Sequence, residues 1–325
     1  MSAENCYDGK INRDGRNKYG GAMRDMRVLI LVLAGVVSWL GVGRSEPIAA
    51  RPKITGIAFV RVYASDVAKS RDFYARTASL GSSPSACSDM AQACFVINDH
   101  QQLEIVPASG SAQKNLLAEI AFATDDVSAM RLFLTAHGVA ATEITKDRNG
   151  AEHFETRDPE DHPIAFVERK KSYAFSPAPE QLTTRMFHAG FVVRDSAKEN
   201  RFYRDLLGFR MYWHGGFKDT DTDWEEIQVP DGGDWIEYML NIPATADKRE
   251  LGVQNHFSFG VVSMKPAFEK LKERGLKEDG APEIGRDGKW GFDVYDPDGT
   301  RVEFMEFQPA QKPCCNEYSA PHPTP

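Results

Sequence analysis

One strand–helix–strands unit recurs four times along the chain, and it constrains the fold before any single motif does. The first copy reads ITGIAFVRVYASDVAKSRDFYARTASLG and the third RMFHAGFVVRDSAKENRFYRDLLGF. Asp66 aligns with Asp195, Phe73-Tyr74 with Phe202-Tyr203, and Gly81 falls close to Gly208. The second copy, LAEIAFATDDVSAMRLFLTAHGV, matches the fourth, QNHFSFGVVSMKPAFEKLKERGL. These two close with RDPEDHPIAFVE and YDPDGTRVEFME.

Each unit opens on a strand, then an Asp or Ser able to cap a helix. In the third unit Ser196 and Glu199 have the spacing of a capping box, and Phe202, Leu206 and Phe209 recur at helical spacing. Gly208 and Gly275 stand where a left-handed helix end favours glycine. Shorter strand-like runs follow, broken by turn signals such as PDGG, DGKWG and DPDGT. The expectation is an α+β chain with its repeats in two domains, 54–170 and 185–309. A Pro-rich segment without periodicity, 171–184, separates them, and 310–325 is expected to be a weakly ordered tail.

The chain has 325 residues, enough for two domains with their own cores. Net charge is −8 with no basic cluster, so nothing supports a nucleic-acid partner. Residues 1–50 do not belong to the repeat. From about Met23 or Met26 a basic start leads into an apolar run from Val28 to about Gly43, then small residues at Ala49 and Ala50. That is the layout of a secretory signal peptide. The run falls short of the roughly 20 apolar residues of a spanning helix. The expectation is a periplasmic or secreted protein starting close to Arg51, with no stable membrane span after cleavage. Cys6 then precedes the mature chain, Cys87 and Cys94 are placed to bridge in an oxidising compartment, and Cys314-Cys315 is a redox pair, a metal-scavenging tail or an inert one.

A paired βαβββ unit with FY in its first helix and a DPDGxxxE ending resembles the vicinal oxygen chelate superfamily. That group includes glyoxalase I, extradiol dioxygenases, and the fosfomycin and bleomycin resistance proteins. The resemblance spans Ile54 to Phe307. It implies two tandem domains, each curling its strands into a cup for a divalent ion, with ligands on the first and last strands of each unit. Carried over, the ligands of the C-terminal domain are His188, Glu237, His256 and Glu303.

Strand alternation supports those positions independently. His188 shares a face with Gly190 and Val192, and His256 with Ser258 and Gly260, while bulky apolar residues occupy the opposite faces. Two imidazoles and two carboxylates suit one divalent ion: Zn, Ni, Co, Mn or Fe(II). In the N-terminal domain the corresponding positions hold Phe59, Glu104, Glu119 and Ala165, so the expectation there is a degenerate site without both histidines. Only contiguous pairing of units three and four gives a full ligand set, which favours consecutive domains over a swapped arrangement.

The four-ligand set is similar to that of bacterial glyoxalase I and implies lyase or isomerase chemistry on a small oxygen-rich molecule, with Glu237 and Glu303 as candidate catalytic carboxylates. Export argues against a glutathione substrate, glutathione being chiefly cytosolic. An extradiol Fe(II) dioxygenase needs only His188, His256 and Glu303; a non-catalytic ligand-sequestering protein is the third reading. His214 is a candidate acid/base or a turn histidine. Trp224, Trp235, Lys289, Trp290 and Asp293 lie on or beside cup strands; Lys289 reads as an exposed turn lysine or an anchor for an anionic group. The oligomeric state is not legible.

Overall fold

In this computed structural model the described residues are 50–110, 113–173, 177–178, 180–277 and 279–325. The expected signal segment and Cys6 lie outside them. The repeat becomes two curled mixed sheets. The first holds β1 (Ile54–Ala64), β2 (Ala93–Val96), β3 (Gln102–Pro107), β4 (Leu117–Thr124), β5 (Thr145–Lys146), β6 (Glu152–Arg157) and β7 (Pro163–Glu168), in the order β2-β3-β1-β4-β7-β6-β5. The second holds β8 (Arg185–Val192), β9 (Arg210–Gly215), β10 (Trp224–Gln228), β11 (Trp235–Met239), β12 (His256–Val261), β13 (Glu283–Ile284), β14 (Trp290–Tyr295) and β15 (Arg301–Glu306), in the order β13-β14-β15-β12-β8-β11-β10-β9. Units one and two thus share one sheet, units three and four the other. The architecture is α+β, two tandem cups of the expected class.

Within each sheet the opening strands of the two units run antiparallel side by side, β1 with β4 and β8 with β12. Each also pairs in parallel with the closing strand of its own unit: β1 with β3, β4 with β7, β8 with β11, β12 with β15. These central strands are where a cup can gather side chains from both units.

The helices α1 (Val67–Thr77), α2 (Val127–Ala136), α3 (Ser196–Asn200), α4 (Lys248–Gln254) and α5 (Met264–Glu273) lie outside the cups. Asp66 caps α1, accepting from Ala68 N and Lys69 N, and Asp126 caps α2, accepting from Ala129 N. The cap of α3 is Asp195, whose side chain accepts from Lys198 N, rather than Ser196. Glu199 therefore does not close a capping box; it is buried. After α3 the chain widens into a π-helical stretch, Arg201–Leu206. Gly208 and Gly275 take the expected left-handed conformation, with φ of 78° and 83°.

The sheet backs share one apolar core, to which Phe122, Phe166, Phe191, Tyr203, Phe257 and Phe304 all belong. Helix α1 of unit one leans on unit four, Tyr74 packing on Phe257 with ring centroids 6.2 Å apart. Symmetrically, Tyr203 and Phe209 of unit three pack edge-on against Phe122 of unit two. At the pseudo-twofold, Gln101 donates to the carbonyls of Ile57 (3.0 Å) and Met186 (2.7 Å) and accepts from Met186 N (2.9 Å).

Cys87 and Cys94 form a disulfide, as do Cys314 and Cys315. Contrary to the expectation of a weakly ordered tail, 313–325 packs on the second domain. The indole of Trp213 donates to the carbonyl of Cys314 at 3.2 Å, Ser319 N to the carbonyl of Tyr212 at 3.0 Å, and Arg185 to the carbonyl of Thr324 at 3.0 Å. No helix among the described residues is long and apolar enough to cross a membrane.

Candidate metal centre

The central strands of the second sheet bring His188, Glu237, His256 and Glu303 together. On β8 and β12, Ser258 pairs in register with both His188 and Glu303; Gly190 pairs with both Glu237 and His256. The register places two ligand pairs on either side of one seam. The two imidazole Nε2 atoms face each other at 3.1 Å. His188 Nε2 lies 3.2 Å from Glu303 Oε2, and His256 Nε2 lies 3.1 Å from Glu237 Oε2 and 4.0 Å from Glu303 Oε2. Donors bonded to one ion at about 2.0–2.2 Å stand roughly 3–4 Å apart. These contacts have that spacing, with ligand atoms of His188, Glu237 and His256 all within 4.8 Å of one another and Glu303 reached from the two imidazoles, and the donor chemistry suits a borderline divalent cation.

Gly190 makes the arrangement possible. A Cβ built there would come within 2.0 Å of His256 Cε1, so any side chain would evict the imidazole. The Nδ1 of His256 lies 3.1 Å from the carbonyl of Gln254, a contact that as N–H···O leaves the electron pair on Nε2, the atom that Arg301 also reaches. His188 is stacked on Trp235, ring centroids 5.1 Å apart. Both histidines are buried.

The surrounding charges hold the carboxylates ionised. Burial alone would raise Glu303, but the hydrogen bond and charge of His188, with Arg301 and His256, outweigh it and bring it down to about 2. Glu237 is likewise lowered: burial opposes ionisation, and the hydrogen bond and charge of His256 prevail. His256 is lowered by burial and by Arg301, which favours the neutral, ligating form.

Several neighbours escaped the sequence reading. Arg301 places Nη2 2.8 Å from His256 Nε2 and Nη1 3.5 Å from Asp293. Glu226 stands directly across from Glu237 on β10, is buried, and has its pKa pushed well above the usual carboxyl range, first by burial. Trp213, Arg286 and Asp287, with Trp224 as expected from its cup strand, complete the wall of a cavity of about 250 Å³ that reaches Glu237, Arg301 and Glu303. Alternation on β10 could have exposed Glu226; nothing local marked Arg301.

Two expectations are corrected. His214 pairs with Glu225, whereas Trp213 and Glu226 on the same two strands line the cavity, so His214 belongs to the opposite face. It is removed from the catalytic set. Lys289 is not an exposed turn lysine but 1% exposed. Its ammonium sits among the rings of Tyr212 (5.3 Å), Trp235 (4.5 Å) and Tyr318 (4.6 Å), 3.4 Å from Asp287. Tyr318 belongs to the tail, so the tail completes this cage.

In the first sheet Phe59, Glu104, Glu119 and Ala165 occupy the register positions of His188, Glu237, His256 and Glu303. Instead of ligands, that cup holds an internal cation. Arg61, 4% exposed, donates to Glu104 at 2.9 Å and pairs closely with Glu119. Ser88 adds two further donors to Glu104, at 3.0 and 2.8 Å.

Residues 185–304 match the family model described as Glyoxalase/Bleomycin resistance protein/Dioxygenase superfamily. No curated protein matches the chain. Among solved structures it resembles homoprotocatechuate 2,3-dioxygenase from Brevibacterium fuscum, in its complex with 3,4-dihydroxyphenylacetate, at 19% identity and a TM-score of 0.61, covering 84% of both chains. It also resembles the enzyme of the same name from Arthrobacter globiformis, at 18% identity and a TM-score of 0.60, covering 80% of this chain and 82% of that one. At such identities the likeness is one of fold.

Proposed function

From the match of residues 185–304 to the Glyoxalase/Bleomycin resistance protein/Dioxygenase superfamily model, we propose a divalent-metal-dependent enzyme acting on a small, oxygen-rich substrate in the second cup, with lyase or isomerase chemistry. The observation that carries this reading is the position of Glu237, 3.1 Å from His256 Nε2 and so part of the ligand cluster itself. His188, Glu237, His256 and Glu303 would hold the ion. When bound, it supplies Lewis acidity to the substrate oxygens it chelates.

The chain's own groups provide the proton chemistry. Glu237 is held ionised and can accept a proton. Glu226, across the strand pair, is kept neutral by burial and can donate one. Two carboxyls driven apart in acidity are the arrangement that separates base from acid in one site. Arg301 adds a fixed positive charge beside developing negative charge. Trp213 and Trp224 line the cavity around these groups.

A second reading, an extradiol-type Fe(II) dioxygenase, draws on the fold likeness to homoprotocatechuate 2,3-dioxygenases across both domains and on the subset His188, His256 and Glu303. Metal analysis of protein from its native compartment, then anaerobic Fe(II) reconstitution and assays on catechol and α-ketoaldehyde panels, tests the two. O₂-dependent turnover of catechols by the Fe(II) form would displace the first reading. We further propose export, supported by the signal-like layout of the sequence and by the Cys87–Cys94 bridge, which suits an oxidising compartment.

A further inference from the structure

The two junctions between the domains are built alike, and one carries ligating groups that the other lacks. In each, the aspartate of a DP turn accepts two backbone N–H groups and a tyrosine hydroxyl from the helix opposite. Asp296 accepts from Asp298 N (2.9 Å), Thr300 N (2.9 Å) and Tyr74 OH (3.0 Å). Asp158 accepts from Glu160 N (3.0 Å), His162 N (2.9 Å) and Tyr203 OH (3.1 Å). The acidic residue two places on caps the opposing helix entry in both: Asp298 accepts from Ser65 N, and Glu160 from Arg194 N and Asp195 N.

The difference lies in two equivalent positions. Where the first junction has Ser70 and Thr300, the second has Glu199 and His162. Glu199 is 0% exposed, and neither of its carboxyl oxygens has a hydrogen-bond partner among the described residues. The hydroxyls of Ser70 and Thr300 also lack partners, but a buried neutral hydroxyl costs far less than a buried carboxylate. His162 Nδ1 lies 2.8 Å from Asp158 Oδ2. One ligand atom each from Asp158, His162 and Glu199 fall within 4.8 Å of one another. The edge of His162 opens on a surface groove beside Asn115, Arg194 and Asn255, a route for a small ion.

We propose that Asp158, His162 and Glu199 form a second divalent-cation site, of the zinc class given two carboxylates and an imidazole, which clasps the two domains together. A bound cation would resolve the unpartnered Glu199 carboxylate, and its ligands come from both domains, the DP turn of the first and α3 of the second. The site is independent of the cup and of any reaction there.

The test reads this site in a chain whose cup is disabled. His188→Ala/His256→Ala protein, equilibrated with Zn(II) and desalted, should retain one equivalent of zinc and melt at a higher temperature with the ion than after chelation. Adding Glu199→Gln should abolish both, and His162→Ala should weaken zinc binding at least tenfold, while Ser70→Ala at the sister junction leaves it unchanged. If the cup variant does not fold, Glu199→Gln alone must bind one equivalent fewer than wild type, from two to one, or from one to zero should the cup bind none. A disabled-cup protein without zinc, or a Glu199→Gln protein with undiminished zinc, overturns the proposal.

Discussion

Arg61 occupies in the first sheet the register position that Gly190 occupies in the second. Arg61 pairs across the strands with Glu104 and Glu119, Gly190 with Glu237 and His256. Gly190 leaves room for an imidazole and hence for an external cation; Arg61 brings its own. Its guanidinium is the shared counter-charge of the two carboxyls that stand at the positions of Glu237 and His256, of which Glu119 is pushed up to about 7 by burial.

Arg61→Met should therefore destabilise the protein without altering its metal content. Two buried carboxylates would lose their counter-charge, and breaking a buried pair from one side costs about 3–5 kcal/mol. Urea unfolding followed by far-UV circular dichroism measures the loss, and metal analysis of the folded variant checks the second half. A fall in bound metal would mean that the first cup contributes to binding.

Gly190→Ala should have the opposite profile. Its Cβ would meet His256 Cε1 at 2.0 Å, so the ring must swing out of the cluster. The expected result is loss of the cup's metal equivalent with the fold retained, matching His256→Ala. Glu104→Gln and Glu119→Gln, in the other cup, should lose none. Wild-type metal affinity in Gly190→Ala would show that His256 is not a ligand.

The four-unit repeat, the consecutive pairing of units and the face carrying His188 and His256 were legible because strand alternation and repeat register are local properties of the sequence. What was not legible depends on residues distant in the chain. Lys289 follows a turn and reads as exposed, but Tyr318 of the tail and Tyr212 of β9 close over it. Ser196 and Glu199 have capping-box spacing, yet Asp195 takes the cap and Glu199 turns into the domain junction. Nothing local marks Arg61 as a counter-ion; that role appears only once β3 and β4 flank β1. His214 was a candidate by residue type alone, and one step of alternation removes it.

Export predicts a mature chain beginning close to Arg51, after Ala49 and Ala50. N-terminal sequencing of the periplasmic or secreted fraction decides it. An intact apolar run on a cytosolic product would remove the objection to a glutathione-derived substrate, and would widen the panel on which the enzyme should be assayed.

Glu237 separates the two chemistries. In a lyase or isomerase of the proposed kind its carboxylate both belongs to the ligand cluster and carries the proton. Glu237→Gln preserves the shape but removes the charge and the base, so turnover should fall by about 10²- to 10⁴-fold, the range typical of general-base loss. Metal affinity should fall with it, because an amide is a poorer ligand for a borderline cation than a carboxylate. In a dioxygenase relying on His188, His256 and Glu303, the same change should spare Fe(II) binding and O₂ consumption. The structure sharpens the contrast: Glu237 lies as close to His256 Nε2, at 3.1 Å, as His188 Nε2 does. Metal affinity and activity measured on one preparation of the variant therefore decide between the readings, and if both are unaltered the three-ligand oxygenase replaces the four-ligand enzyme.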